Sequence, residues 1–208
     1  MLRVKICGIV SPADARAVAA SGADALGLVF FPKSPRNVTP ERAEEILDAV
    51  PPFVTRVGLF VNPEPGEVEA VLEKCALDVL QFHGDESPDL CRRFGRPYLK
   101  AVRVSGPTDL RPWQEHFADA QGLLVDRADA QVYGGSGRPF SWWPFPRDSA
   151  TPLILAGGLH PGNVAEAVQI VRPYAVDVSS GVETFPGCKN PEKMAEFVVR
   201  ARQAAGEP

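Results

Sequence analysis

The sequence predicts a single-domain (β/α)8 TIM barrel with short loops, and three observations predict it. Eight short apolar runs alternate with amphipathic stretches along the 208 residues. Strands that alternate with helices must pair in parallel, because each crossover between parallel strands needs a helix. The length suits one closed barrel, whose usual size starts near about 200 residues. An open doubly wound sheet is the alternative architecture. No linker or low-complexity segment divides the chain, so residues 1–208 read as one domain.

The apolar runs, rich in Val, Ile, Leu and Phe, are Arg3–Cys7, Ala25–Phe30, Arg56–Val61, Val79–His83, Leu99–Val104, Gly122–Asp126, Pro152–Ala156 and Ala175–Val178. The stretches between them carry helix-start signals. Ser11-Pro12, Thr39-Pro40, Ser87-Pro88 and Asn190-Pro191 each set a capping residue before a proline suited to the first helical turn. Glu41–Val50 and Glu67–Lys74 then place apolar residues at helical spacing. At this length the connections must be short. The exception is the glycine-rich stretch at residues 127–143, RADAQVYGGSGRPFSWW, which reads as a lid or an active-site loop.

Composition sets further bounds. Apolar residues make up 45% and charged residues 23%, the balance of a soluble globular protein with a sizeable core. A net charge of −4 gives no general reason to expect nucleic acid or an anionic membrane as partner. The four cysteines, Cys7, Cys75, Cys91 and Cys188, form no C-x-x-C pair, and no Cys/His cluster has zinc spacing, so no metal is expected. Neither a signal peptide nor a run of 18 apolar residues is present, and the chain reads as cytoplasmic with free thiols. Phe30, Phe31 and the Phe53 region are candidates for a homodimer contact, or equally for core.

Alternation along the strands then singles out polar groups. In the first strand Val4 and Ile6 share the face expected to meet the helices, while Arg3, Lys5 and Cys7 share the face that points into the barrel. In the fourth, Gln81 and His83 lie opposite Leu80 and Phe82. The sixth ends with Asp126, and the eighth holds Asp177 between two valines. Barrel enzymes keep their chemistry at the C-terminal strand ends, where Cys7, His83 and Asp126 all fall. Each also has a bland reading: Cys7 as packing, Asp126 as a helix cap, His83 as a turn residue. Their joint placement at one rim favours function.

Two late turns point to a phosphate. AGGLHPGNV (Ala156–Val164) follows the seventh strand and SSGVE (Ser179–Glu183) the eighth, where this fold commonly holds a phosphate. Glycines let the backbone approach an anion, and N–H groups with a helix dipole stabilise its charge. Gly157, Gly158, Ser180 and Gly181 are the candidate donors; glycines serving only tight turns are the plainer account.

Taken together, the motifs resemble the phosphoribosylanthranilate isomerases of tryptophan biosynthesis. They are KICGI (Lys5–Ile9) with Asp14-Ala15, GLVFFPKSPR (Gly27–Arg36), QFHGDE (Gln81–Glu86), LLVD (Leu123–Asp126), GGSGRPFSW (Gly134–Trp142), LAGGL (Leu155–Leu159) and DVSSGVE (Asp177–Glu183). They span nearly the whole chain in the family's order. Two departures fall in the loop: Ser136 where the family often has threonine, and Ser141 where it often has aspartate.

The resemblance implies an Amadori rearrangement of N-(5-phosphoribosyl)anthranilate to 1-(2-carboxyphenylamino)-1-deoxyribulose 5-phosphate. It implies Cys7 as general base, Asp126 as general acid and Arg36 as the partner of the anthranilate carboxylate. Lys5, His83 and Asp177 complete the expected substrate site. The chemistry needs one acid and one base flanking the sugar carbons, and no metal, nicotinamide or other cofactor. Two other readings remain at this point. One is a lyase or synthase barrel resembling indole-glycerol-phosphate synthase, which usually needs more catalytic lysines than this chain offers. The other is a non-catalytic sensor of a sugar phosphate.

Overall fold

The computed structural model describes residues 1–127 and 143–207. Eight parallel strands close on themselves in sequence order: β1 Arg3–Cys7, β2 Ala25–Val29, β3 Thr55–Phe60, β4 Val79–Phe82, β5 Tyr98–Val104, β6 Gly122–Arg127, β7 Leu153–Ala156 and β8 Ala175–Val178. Closure is made by β1 against β8, with Lys5 opposite Asp177 and Ile6 opposite Val178. That pairing excludes an open sheet. Each strand end agrees with its predicted run to within one residue.

The helices are α1 Pro12–Ala20, α2 Pro40–Leu47, α3 Pro65–Lys74, α4 Pro88–Arg92, α5 Arg111–His116, α6 Val164–Val171 and α7 Pro191–Ala204. All four predicted caps form. Ser11, Thr39, Ser87 and Asn190 accept the backbone N–H three residues on, satisfying a donor that has no partner inside the helix. Helix α2 stops at Leu47 rather than Val50, since Pro51 disfavours helical backbone at the residue before it. Helix α3 begins two residues earlier than its apolar spacing indicates, because Glu64 and Glu67 form a capping box over Pro65.

The main core lies between strands and helices. Val4, Ile6, Leu26, Leu80 and Phe82 face outward onto Val18, Ile46, Val68 and Phe197. Inside the barrel, Ala101, Leu124, Ile154, Ala156 and Ala175 fill one layer, and Cys7, Val29 and Leu59 form another next to the C-terminal rim. The predicted inward face of β1 is therefore the observed one, except that Arg3 lies at the opposite mouth, exposed, and bonds Asp24.

Past β8 the chain departs from the simple repeat. A 3₁₀ turn over Ser180–Val182 leads into a small antiparallel hairpin of β9 (Glu183–Phe185) and β10 (Cys188–Lys189). Of the three phenylalanine candidates for self-association, Phe30 stacks on Phe60 at the edge of the core and Phe31 packs against the rim layer. Phe53 alone of these three is fully exposed. No helix among the described residues is long and apolar enough to cross a membrane. Of the glycine-rich stretch, residues 128–142, with Ser136 and Ser141, lie outside the described residues.

Candidate active site

At the C-terminal rim a cavity of about 450 Å³ opens, a size that suits a small-molecule ligand. Cys7, Arg36, His83, Asp126 and Asp177 line it, together with Gly157, Gly158 and Ser180 of the two late turns. Cys7 on β1 and Asp126 on β6 thus face the same space from well-separated strands of the ring. Lys5 and Gly181 stand behind this lining rather than in it.

Cys7 is 4% exposed and sits among charges. Burial pushes its thiol above the ordinary range, the neighbouring Lys5 pulls it down, and Asp177 pushes it up again. Lys5, on the same strand face, supplies an opposing cation, but burial outweighs it. Lys5 itself donates to Asp177 Oδ1 at 2.9 Å, both side chains being buried. Burial disfavours the Lys5 ammonium, yet Asp177 and Cys7 more than offset this and hold it above its usual value. Gly27, paired with Cys7 in register, leaves the thiol its room. A Cβ there would stand 2.7 Å from Sγ.

Across the cavity His83 Nε2 lies 2.9 Å from Asp126 Oδ2, and Gln81 Nε2 lies 3.0 Å from His83 Nδ1. This row follows from strand alternation: Gln81 and His83 share the inward face of β4. Gln81 Oε1 is buried with no hydrogen-bond partner among the described residues. Arg103, beside Asp126 in the β5–β6 register and exposed, also lines the cavity, and nothing in its strand's pattern sets it apart.

The turn after β7 is held open by its own side chain. Asn163 donates to the Gly158 carbonyl at 3.0 Å and accepts from the His160 N–H at 2.8 Å. Gly157 and Gly158 both have positive φ, at 85° and 67°. The turn after β8 packs directly against it, so closely that a Cβ on Gly181 would lie 1.9 Å from the Leu159 carbonyl oxygen.

Arg36 reaches the cavity from the β2–α2 loop, gripped by Glu183. Its Nε and Nη2 donate to the two carboxylate oxygens at 2.7 and 2.6 Å. Lys189 donates to Glu183 Oε1 at 2.8 Å. Burial tends to raise the Glu183 carboxyl, but the bonds from Arg36 and Lys189 hold it below the usual range. Neither Glu183 as a partner nor Lys189 was anticipated, since their strands are too short to show a pattern.

Comparison with known proteins identifies this constellation. The family described as N-(5′-phosphoribosyl)anthranilate (PRA) isomerase matches residues 4–200. The chain belongs to that family. N-(5′-phosphoribosyl)anthranilate isomerase of Acidithiobacillus ferrooxidans is 64% identical over 202 residues, covering 97% of this chain and 98% of the relative. The crystal structure of phosphoribosyl anthranilate isomerase from Thermotoga maritima is 44% identical, with a TM-score of 0.87, covering 98% of this chain and all of that one. A further phosphoribosyl anthranilate isomerase structure holds reduced 1-(o-carboxyphenylamino)-1-deoxyribulose 5-phosphate. It is 40% identical, with a TM-score of 0.82 and coverage of 98% and 100%. The chain is thus a phosphoribosylanthranilate isomerase-family enzyme of tryptophan biosynthesis.

Proposed function

We propose that this chain isomerises N-(5-phosphoribosyl)anthranilate with Asp126 as general acid and Cys7 as general base. The observation that carries the reading is that both groups line one cavity, from strands on different sides of the ring. Asp126 gives its proton to the furanose oxygen as the C1–O bond breaks, and the amine lone pair forms the C1=N bond of an iminium ion. Cys7, as thiolate, removes the proton from C2; the C–H electrons form C1=C2 and neutralise the nitrogen. The resulting enol then becomes the ketone, giving 1-(2-carboxyphenylamino)-1-deoxyribulose 5-phosphate. No electron leaves the substrate, so no redox partner enters the balance. The iminium cation supports thiolate formation at the moment it is needed, offsetting the burial that raises the thiol.

The phosphate lies, in this reading, against the turns after β7 and β8, with Gly157, Gly158, Ser180 and Gly181 supplying backbone donors. That anchor orients the sugar carbons between base and acid. Arg36 meets the anthranilate carboxylate, since its planar fork matches two carboxylate oxygens. His83 positions Asp126. Lys5 and Asp177, bonded to each other, set the charge around Cys7. The biosynthetic role favours the cytoplasm as location. Self-association through Phe53 belongs to the same reading; sedimentation of Phe53→Ser against the parent chain tests it.

The deciding assay follows loss of phosphoribosylanthranilate fluorescence with the parent chain, Cys7→Ala and Asp126→Ala. Both variants should stay folded and lose turnover by roughly two orders of magnitude or more. Near-normal turnover in either one would remove that residue from its role.

A further inference from the structure

The grip on Arg36 is more elaborate than a cavity-lining arginine needs. Glu183 accepts from two nitrogens of one guanidinium and from Lys189 Nζ. Lys189 also donates to the Ser179 carbonyl at 3.0 Å, and Lys193 donates to the Glu183 carbonyl at 2.8 Å. The Glu183 and Lys189 side chains are 4% and 0% exposed. The β9–β10 hairpin, which interrupts the simple β/α repeat, exists in part to present this pair: Glu183 opens one strand and Lys189 closes the other.

Two physical points bear on what the cluster does. Buried ion pairs are poor sources of stability, because desolvating the charges costs about as much as their attraction returns. A stabilising role therefore does not account for it. Binding Nε and Nη2 together, moreover, leaves a planar guanidinium only one orientation.

We propose that Glu183, supported by Lys189, is a positioning residue for substrate specificity: it fixes the plane of Arg36 so that the site selects an amine carrying a carboxylate. This rests on the reading that Arg36 meets the anthranilate carboxylate. Glu183 touches no reacting atom and acts only through Arg36. Its loss raises KM and leaves kcat close to that of the parent enzyme.

The test uses two probes and calorimetric binding to the intact chain. One is reduced 1-(2-carboxyphenylamino)-1-deoxyribulose 5-phosphate; the other is the same molecule with a plain phenylamino group. Glu183→Gln should weaken the first by roughly tenfold or more, the worth of a charge-assisted hydrogen bond, and leave the second within about twofold. Arg36→Ala should abolish the preference for the carboxylated probe. If it does, yet Glu183→Gln weakens both probes alike or neither, the inference about Glu183 is overturned while the role of Arg36 stands. If Arg36→Ala keeps the preference, the reading of Arg36 itself fails. Arg36→Lys guards against a misfolded Glu183 variant, because it keeps the charge and removes the fork. Its expected result is loss of most of the preference; full preference would overturn the proposal.

Discussion

His83 Nε2 stands 2.9 Å from Asp126 Oδ2, so the carboxyl assigned as acid already has a partner within the protein. The imidazole fixes one carboxyl oxygen of a residue that lines the cavity. Replacing Asp126 by asparagine keeps the shape and removes the transferable proton. Turnover should fall by about 10²–10⁴-fold, the usual worth of a positioned acid. His83→Asn removes only the orienting contact and should cost about tenfold, well short of what loss of the acid costs. Circular dichroism should be unchanged in both. A His83 variant as inactive as the Asp126 variant would mean that the histidine itself handles the proton.

The Cys7 thiol offers a pH test with a defined sign. Burial raises it, and Lys5 partly opposes that rise. If the thiolate is the base, kcat/KM climbs with pH, and the climb extends beyond the ordinary thiol range near about 8.5. Lys5→Met removes the opposing cation and leaves Asp177 without its partner. Both changes disfavour the thiolate, so the rising limb should shift to higher pH and the rate at neutral pH should drop. A shift toward acid would contradict the assignment.

How much of this was legible in the sequence depends on the range of the interaction that produces it. The inward placement of Lys5 and Cys7, and of Gln81 beside His83, follows from a two-residue period within one strand, so it could be read directly. The four Ser/Thr/Asn–Pro caps are equally local. Glu183 lies 147 residues from Arg36, and no pattern near either one announces the pair. The hairpin strands have three and two residues, too few to alternate visibly. Leu110, which precedes α5, has no side-chain acceptor to signal a helix start. The two late turns could be placed, but not the contact between them, which depends on the closure of the whole ring.

Behind the β4 rim, Lys100 and Glu86 form a buried clamp. Lys100 Nζ donates to Glu86 Oε2 at 2.9 Å and to the Gly84 carbonyl at 2.6 Å, while Glu86 accepts from the backbone of Asn62 and Gly84. Both side chains are essentially inaccessible. Lys100→Met strands a buried carboxylate, so urea unfolding should report a loss of about 3–5 kcal/mol. Because the clamp ties down the segment after His83, turnover of the folded fraction should fall as well. A loss below about 1 kcal/mol would show that Glu86 finds other compensation.

Gly181 tests whether the two late turns act as one anion site. Its α-carbon presses against the turn after β7, where an added methyl would fall 1.9 Å from the Leu159 carbonyl oxygen. Neither partner is a flexible side chain that can swing aside, so Gly181→Ala must push backbone from backbone. Overpacking of this kind typically costs about 1–3 kcal/mol, which the barrel should survive. A phosphate site whose donors come from both turns, as proposed, should not survive their separation. Inorganic phosphate competes with substrate if the site is as described, and its inhibition constant should rise at least roughly tenfold in Gly181→Ala. KM should rise with it. If the phosphate orients the reacting carbons as proposed, kcat should fall too, in contrast to the KM-only change expected for Glu183→Gln. Unchanged phosphate inhibition in a folded Gly181→Ala protein would place the anion elsewhere.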